Sequence, residues 1–97
     1  MRYVLSTAAE EDLIEAFAFG LESFGLKQAE AYRADIKQVF DLIARFPQIA
    51  RERAEFSPPV RLHHHGRHYI AYMTDKDQVL IVRIIHEAAD LHDLFGE

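Results

Sequence analysis

The chain is predicted to fold as one α+β domain, with a helical hairpin packed on one face of a small, mainly antiparallel sheet. Three observations predict it. Two stretches in the first half repeat their apolar residues at steps of three and four, the period of one helix face. Three β-rich runs in the second half are separated by connections of hairpin-turn length. The 97 residues are enough for one hydrophobic core and too few for two, so residues 1–97 are read as a single domain.

The first strand is Tyr3-Val4-Leu5, ending at Ser6-Thr7. Thr7-Ala8-Ala9-Glu10 has capping-box spacing, in which hydroxyl and carboxylate satisfy orphan backbone N–H groups reciprocally. The first helix opens there, with an apolar stripe of Leu13, Phe17, Leu21 and Phe24, and Gly25 stops it. In the second helix Ala29, Tyr32, Ile36, Val39, Ile43 and Phe46 share a face, and Pro47 cannot continue the ladder. The short connection between the two stripes makes the helices antiparallel neighbours. The aromatic stripe of Phe17, Phe24, Tyr32, Phe40 and Phe46 reads as core or partner-facing packing rather than a cofactor box.

Residues 48–59 read as polar and irregular, and Pro58-Pro59 prepares an extended segment. Strands follow at 60–64, 68–74 and 79–85, joined by His65-Gly66-Arg67 and by Asp75-Lys76-Asp77-Gln78. The last strand is apolar on both faces and is expected to be the central, most buried one. Leu91, Leu94 and Phe95 suggest a short final helix, completing the order β-α-α-β-β-β with a helical tail.

With 49% hydrophobic and 28% charged residues, the composition is that of a globular domain and not a disordered chain. There is no cysteine, so thiolate metal sites and thiol nucleophiles are excluded. With neither an export signal nor an apolar run of membrane-spanning length, the cytoplasm is the expected compartment. Sixteen acidic against eleven basic side chains, a net charge of −5, argue against a large or sequence-specific nucleic-acid footprint. The middle of the chain departs from that balance: Arg51, Arg53, Arg61 and Arg67 outnumber Glu52 and Glu55 there.

Three groups of strings carry a family resemblance. Leu5-Ser6 with an alanine and Asp12-Leu13 opens the first helix; Phe24-Gly25, Gln28-Ala29 and Tyr32 open the second, which ends in Ile43-Ala44-Arg45-Phe46-Pro47; Val60-Arg61, Gly66-Arg67-His68-Tyr69-Ile70-Ala71-Tyr72 and Val82-Arg83-Ile84-Ile85-His86 form the strands, with Asp90 a few residues on. Together they resemble the RelE/ParE superfamily of bacterial toxins over nearly the whole chain. Two departures are His63-His64-His65, where a serine or arginine run is usual, and Ile85 in place of leucine.

The resemblance implies one of two actions. RelE-type members cut mRNA on the ribosome, and ParE-type members inhibit DNA gyrase. RNA cleavage needs a base, an acid and cations on the phosphate. The tail from Glu87 to Glu97 has no Lys, Arg or Tyr and is acidic, which favours the ParE branch. That branch implies DNA gyrase as target and a ParD-like antitoxin that folds on binding, laying an amphipathic helix along the hairpin and an extended piece near the sheet edge. The alternatives are a RelE-type endoribonuclease working through Arg61, Arg67, Arg83 and His86, and a non-toxic interaction module.

Arg61, Arg67, His68, Tyr72, Arg83 and His86 are the candidates for contact with a partner; no catalytic residue, metal or cofactor is expected. Arg83, inside an apolar strand, needs a partner or a route to solvent. It either joins Arg61 and Arg67 on a partner-facing sheet surface or pairs with a carboxylate such as Asp90 to hold the tail. His68, Tyr72 and His86 have the chemistry of an acid–base set, but no nucleophile accompanies them, and a packed role in the sheet is the preferred reading. Strand alternation puts His63 and His65 on one face and His64 on the other, an arrangement that does not complete a metal site.

Overall fold

The computed structural model describes residues 1–96. Its elements are β1 (Arg2–Leu5), α1 (Thr7–Phe24), α2 (Leu26–Arg45), β2 (Glu52–Arg53), β3 (Val60–His65), β4 (His68–Thr74), β5 (Gln78–His86) and α3 (Leu91–Phe95). The strands form one mixed sheet in the order β1-β5-β4-β3-β2. β1 runs parallel to β5 and every other pairing is antiparallel. No helix among the described residues is long and apolar enough to cross a membrane.

Local chemistry accounts for the boundaries. α1 is capped by Ser6 rather than by Thr7: the Ser6 side chain accepts the Ala9 N–H at 3.0 Å, and Glu10 is left exposed in the first turn. The shift has a reason, because the Ser6 hydroxyl also donates to the Val82 carbonyl at 2.7 Å and so ties the cap to β5. Gly25 alone connects the helices, at φ 92°, a left-handed value that costs glycine least. α2 buries Ala29, Ile36, Val39, Phe40, Ile43 and Ala44, while Phe46 lies at its end, 53% exposed.

Cross-strand partners share a sheet face. Tyr3, Leu5, Ile70, Tyr72, Val79, Ile81 and Ile84 face the hairpin and pack with Ala9, Leu13, Ile36, Val39, Phe40 and Ile43. Burying one such large side chain is worth about 1.5–3 kcal/mol, so this layer supplies most of the drive to fold. The opposite face has partial cover. Phe56, from the loop after β2, is buried with its ring 5.7 Å from that of Phe95 on α3, and the Ser57 N–H donates to the Phe95 carbonyl.

That asymmetry corrects the expectation for the last strand. β4, not β5, is the middle strand, and β5 is not buried on both faces: Leu80 is 37% exposed and Val82 half-buried. The apolar run lacks a second layer along its full length because the helices cover only one side. The two-residue β2, in a stretch read as irregular, forms by pairing with Arg61 and Val60.

β5 has a further problem, since β1 pairs only with Gln78 to Ile81. Beyond that point the edge is completed by α1. The Ser6 N–H donates to the Ile81 carbonyl at 2.9 Å, and Asp12 Oδ2 accepts the Ile84 N–H at 2.9 Å. The same carboxylate takes two bonds from Arg83, Nε to Oδ2 at 2.7 Å and Nη2 to Oδ1 at 3.0 Å. This bidentate pair holds the Arg83 pKa above its ordinary value. Asp90 instead caps α3 by accepting the His92 N–H.

Removal of Asp12 therefore orphans three N–H donors, two on Arg83 and one on Ile84. Asp12→Ala is expected to cost about 3 kcal/mol and Arg83→Met about half as much, since the latter leaves the Ile84 bond in place. Urea denaturation of the two variants checks this; equal losses would mean that the strand-edge bond contributes nothing.

Candidate functional site

The six candidate residues fall in three places. Arg61 and Tyr72 are directly opposed on β3 and β4 and both reach the segment that follows α2. Arg61 Nη1 donates to the Ala50 carbonyl at 2.6 Å. The Tyr72 hydroxyl donates to the Pro47 carbonyl at 2.8 Å and accepts the Ala50 N–H at 3.3 Å. Tyr72 is 0% exposed, and burial raises its pKa. A partner does not reach this side chain; it anchors a loop.

Arg83 occupies the second place, turned against Asp12 on α1 with its side chain 34% exposed. Its bonding partner is on α1, whereas that of Arg61 is in the segment after α2.

Arg67, His68 and His86 make the third group, roughly 13 Å along β4 from Tyr72 at ordinary strand rise. Here the antiparallel register lines up His65, His68 and His86 across three strands. The Tyr32 hydroxyl stands over the row from α2. It lies 2.8 Å from His68 Nδ1, accepts the Arg67 N–H at 3.0 Å and donates to the His65 carbonyl at 3.3 Å. Its ring stacks on His65, with centroids 5.9 Å apart. Gly66 permits the approach: a Cβ there would sit 2.7 Å from the Tyr32 ring, and its φ of +57° is left-handed. The His68 and His86 rings meet edge-on at 5.7 Å, and His86 Nδ1 accepts the Ala88 N–H.

These residues close one end of a cavity of about 560 Å³ between the helical hairpin and the β3–β4 turn. Leu13, Ala16, Phe17, Gly20 and Phe24 make its α1 wall. Gly20 faces Ala29 across the hairpin, where a Cβ would stand 3.5 Å from Ala29 Cβ, an ordinary van der Waals contact. Two cations stand at its aromatic walls, Arg33 over Phe17 at 4.2 Å and Arg67 over Phe24 at 5.1 Å. Beyond the cavity α1 remains apolar outward, with Ile14 68% and Leu21 43% exposed, and Phe24 at the cavity wall is itself 48% exposed. The α1 stripe is thus only partly core, as Leu21 and Phe24 lie in the open.

Arg33 and the cavity-facing role of Tyr32 were not among the candidates. The signal for Arg33 was present, because it stands four residues after Ala29 and three before Ile36, a charge in phase with the buried face of α2. On the other side of the sheet, His64 Nε2 lies 3.2 Å from Glu87. Among the described residues no three His, Asp or Glu side chains converge as metal ligands do.

Burial lowers the His68 pKa, with His86 acting in the same direction and Glu87 and Asp12 against it; burial also lowers that of His63, beside His65 and His64. Unfolded, both imidazoles take up protons near pH 6.5. The fold resists protonation, so stability is full above about pH 6.5 and is lost as pH falls through the lowered native values. The melting temperature should be level down to about pH 7 and decline towards about pH 5, with a shallower decline in the His63→Gln/His68→Gln protein. An identical slope in that variant would exclude these two imidazoles as the cause.

Residues 3–91 match the family model for the ParE toxin of the type II toxin–antitoxin system, parDE. The toxin ParE1 of Mycobacterium tuberculosis is 32% identical over 91 residues, covering 93% of each chain. The toxin ParE3 of Caulobacter vibrioides is 26% identical over 96 residues, 99% of this chain and 96% of that one. A solved structure described as a chromosomal ParDE TA system from P. aeruginosa superposes with a TM-score of 0.75 at 17% identity, covering 89% of this chain and 95% of its own, and so shares the fold. A strand, a helical hairpin and a mixed sheet in this order, with a match of this extent, place the chain in the ParE toxin family of type II toxin–antitoxin systems.

Proposed function

We propose that this toxin acts in the cytoplasm by binding DNA gyrase, without catalysis of its own, and that a ParD-like antitoxin silences it. The observation that carries a binding action is the commitment of the cationic candidates inside the fold. Arg83 is neutralised by Asp12, and Arg61 is turned onto the Ala50 carbonyl. RNA cleavage needs cations gathered on one phosphate beside a base and an acid. Arg67 is the candidate arginine that remains exposed next to the imidazoles, and the residues after β5, Glu87, Asp90 and Asp93, are acidic.

An antitoxin has two surfaces suited to it. The apolar cavity and the outward side of α1 fit an amphipathic helix. β3 meets β2 only at Val60 and Arg61, so residues 62–65 offer an edge to an extended segment. Arg67, His68 and His86 border the first surface and are the partner-contact candidates that remain accessible. Their meeting at one cavity is also what favours mRNA cleavage as a second reading, with His68 or His86 as base.

A supercoiling assay with purified gyrase, run beside primer extension on mRNA in a translating extract, separates the two. Supercoiling should stop at micromolar toxin with no new mRNA ends, and Arg67→Ala/His86→Ala should weaken the inhibition. Cleavage without inhibition would overturn the proposal in favour of a ribonuclease, and growth unaffected by induction of the chain would mean a non-toxic interaction module.

A further inference from the structure

The two arginines at the cavity are stacked on aromatic rings without an ion pair, whereas Arg53, which also lies over a ring (Phe56, 5.3 Å), is paired with Glu55. Arg33 lies on Phe17 and Arg67 on Phe24. Stacking uses the flat face of the guanidinium and leaves the N–H donors at its rim free. The ion pairs among the described residues are Arg53–Glu55, His64–Glu87 and Arg83–Asp12, and neither Arg33 nor Arg67 belongs to one. Asp35 is the one carboxylate on the cavity lining, so arginines outnumber it there in a chain whose net charge is −5.

We infer that Arg33 and Arg67 are the specificity determinants of this surface: it selects an amphipathic peptide segment that seats apolar side chains between them and places one carboxylate on each guanidinium. The inference rests on the reading that a peptide antitoxin occupies the cavity, and it names what that peptide must carry. Apolar filling alone discriminates poorly, because a wall of Leu13, Ala16 and Phe17 accepts many side chains. Two charges fixed at the aromatic walls add both attraction and rejection. A segment with carboxylates in register gains charge-assisted, bidentate bonds from donors already ordered by stacking. One with Lys or Arg in those places meets like charge. Lysine is not a substitute for either residue, since an ammonium lacks the planar fork.

The test is a selection of random peptides about 16 residues long, about four helical turns, displayed on phage against the purified chain. Enriched sequences should combine apolar residues at helical spacing with two recurrent Asp or Glu positions. A synthetic representative should lose about tenfold in affinity with Arg33→Gln and again with Arg67→Gln, the scale of one charge-assisted bond. Arg→Lys at either position should recover only part of the loss. Arg33→Glu/Arg67→Glu should enrich basic residues at the same two peptide positions. Circular dichroism confirms that each variant folds, and salt gives a readout on the wild type alone: raising NaCl from about 50 to about 500 mM should weaken binding several-fold. Enrichment without acidic bias, affinity indifferent to the arginines and to salt, no enrichment at all, or self-association through this face in sedimentation would each overturn the inference. The supercoiling assay is read without peptide, so a failure of the gyrase reading is scored separately.

Discussion

The structure depends on how α1 finishes the edge of β5. β1 is four residues long and leaves the second half of β5 without a neighbouring strand on the side away from β4. An open edge of that kind exposes unpaired N–H and C=O groups. Ser6 and Asp12 supply the missing partners from a helix: the Ser6 N–H and hydroxyl meet the Ile81 and Val82 carbonyls, and the Asp12 carboxylate meets the Ile84 N–H and Arg83. Each charge-assisted bond of this kind is worth about 1.5–3 kcal/mol, enough for one carboxylate to fix the approach of α1 to the sheet. The position of α1 in turn sets the width of the cavity between α1, α2 and the β3–β4 turn.

A second tie fixes the other wall. Tyr32 gathers the β3–β4 turn by bonding to His65, Arg67 and His68 through one hydroxyl. The phenol has one proton: while it is donated to the His65 carbonyl, the oxygen accepts from the Arg67 N–H and from a protonated His68 Nδ1. Arg67 is thereby delivered to the face of Phe24, next to the helix end. Function follows from these constraints: the sheet's polar residues are mostly engaged in holding elements together, and what remains for a partner is an apolar recess with arginines on its walls.

Much of the candidate site was legible as chemistry and illegible as place. Arg83 was recognisable as an arginine that needed a carboxylate, yet the partner is Asp12, 71 residues away, and not the nearby Asp90. Tyr72 and His68 lie four residues apart on one strand and one face, but the first is fully enclosed by residues 47–50 and the second borders a cavity. Strand alternation assigns both to the same side; only the loop after α2, drawn over one end of the sheet, tells them apart. Arg33 carried a signal in its helical phase that was outweighed by its being a charged residue in an amphipathic helix.

The sequence by itself determined the element types and most of their limits. Apolar period, glycine and proline punctuation and β-branched runs are local properties, and the energies behind them act within a few residues. It also determined the family, because the strings around Asp12, Tyr32, Gly66-Arg67-His68 and Arg83 are the positions at which the fold ties distant segments together. The tertiary structure alone decided that β4 is the middle strand, that Ser6 caps α1, and which arginines are consumed and which are free. Those outcomes depend on pairings between residues dozens of positions apart, and one side chain's propensity does not specify which distant group will meet it when the core closes.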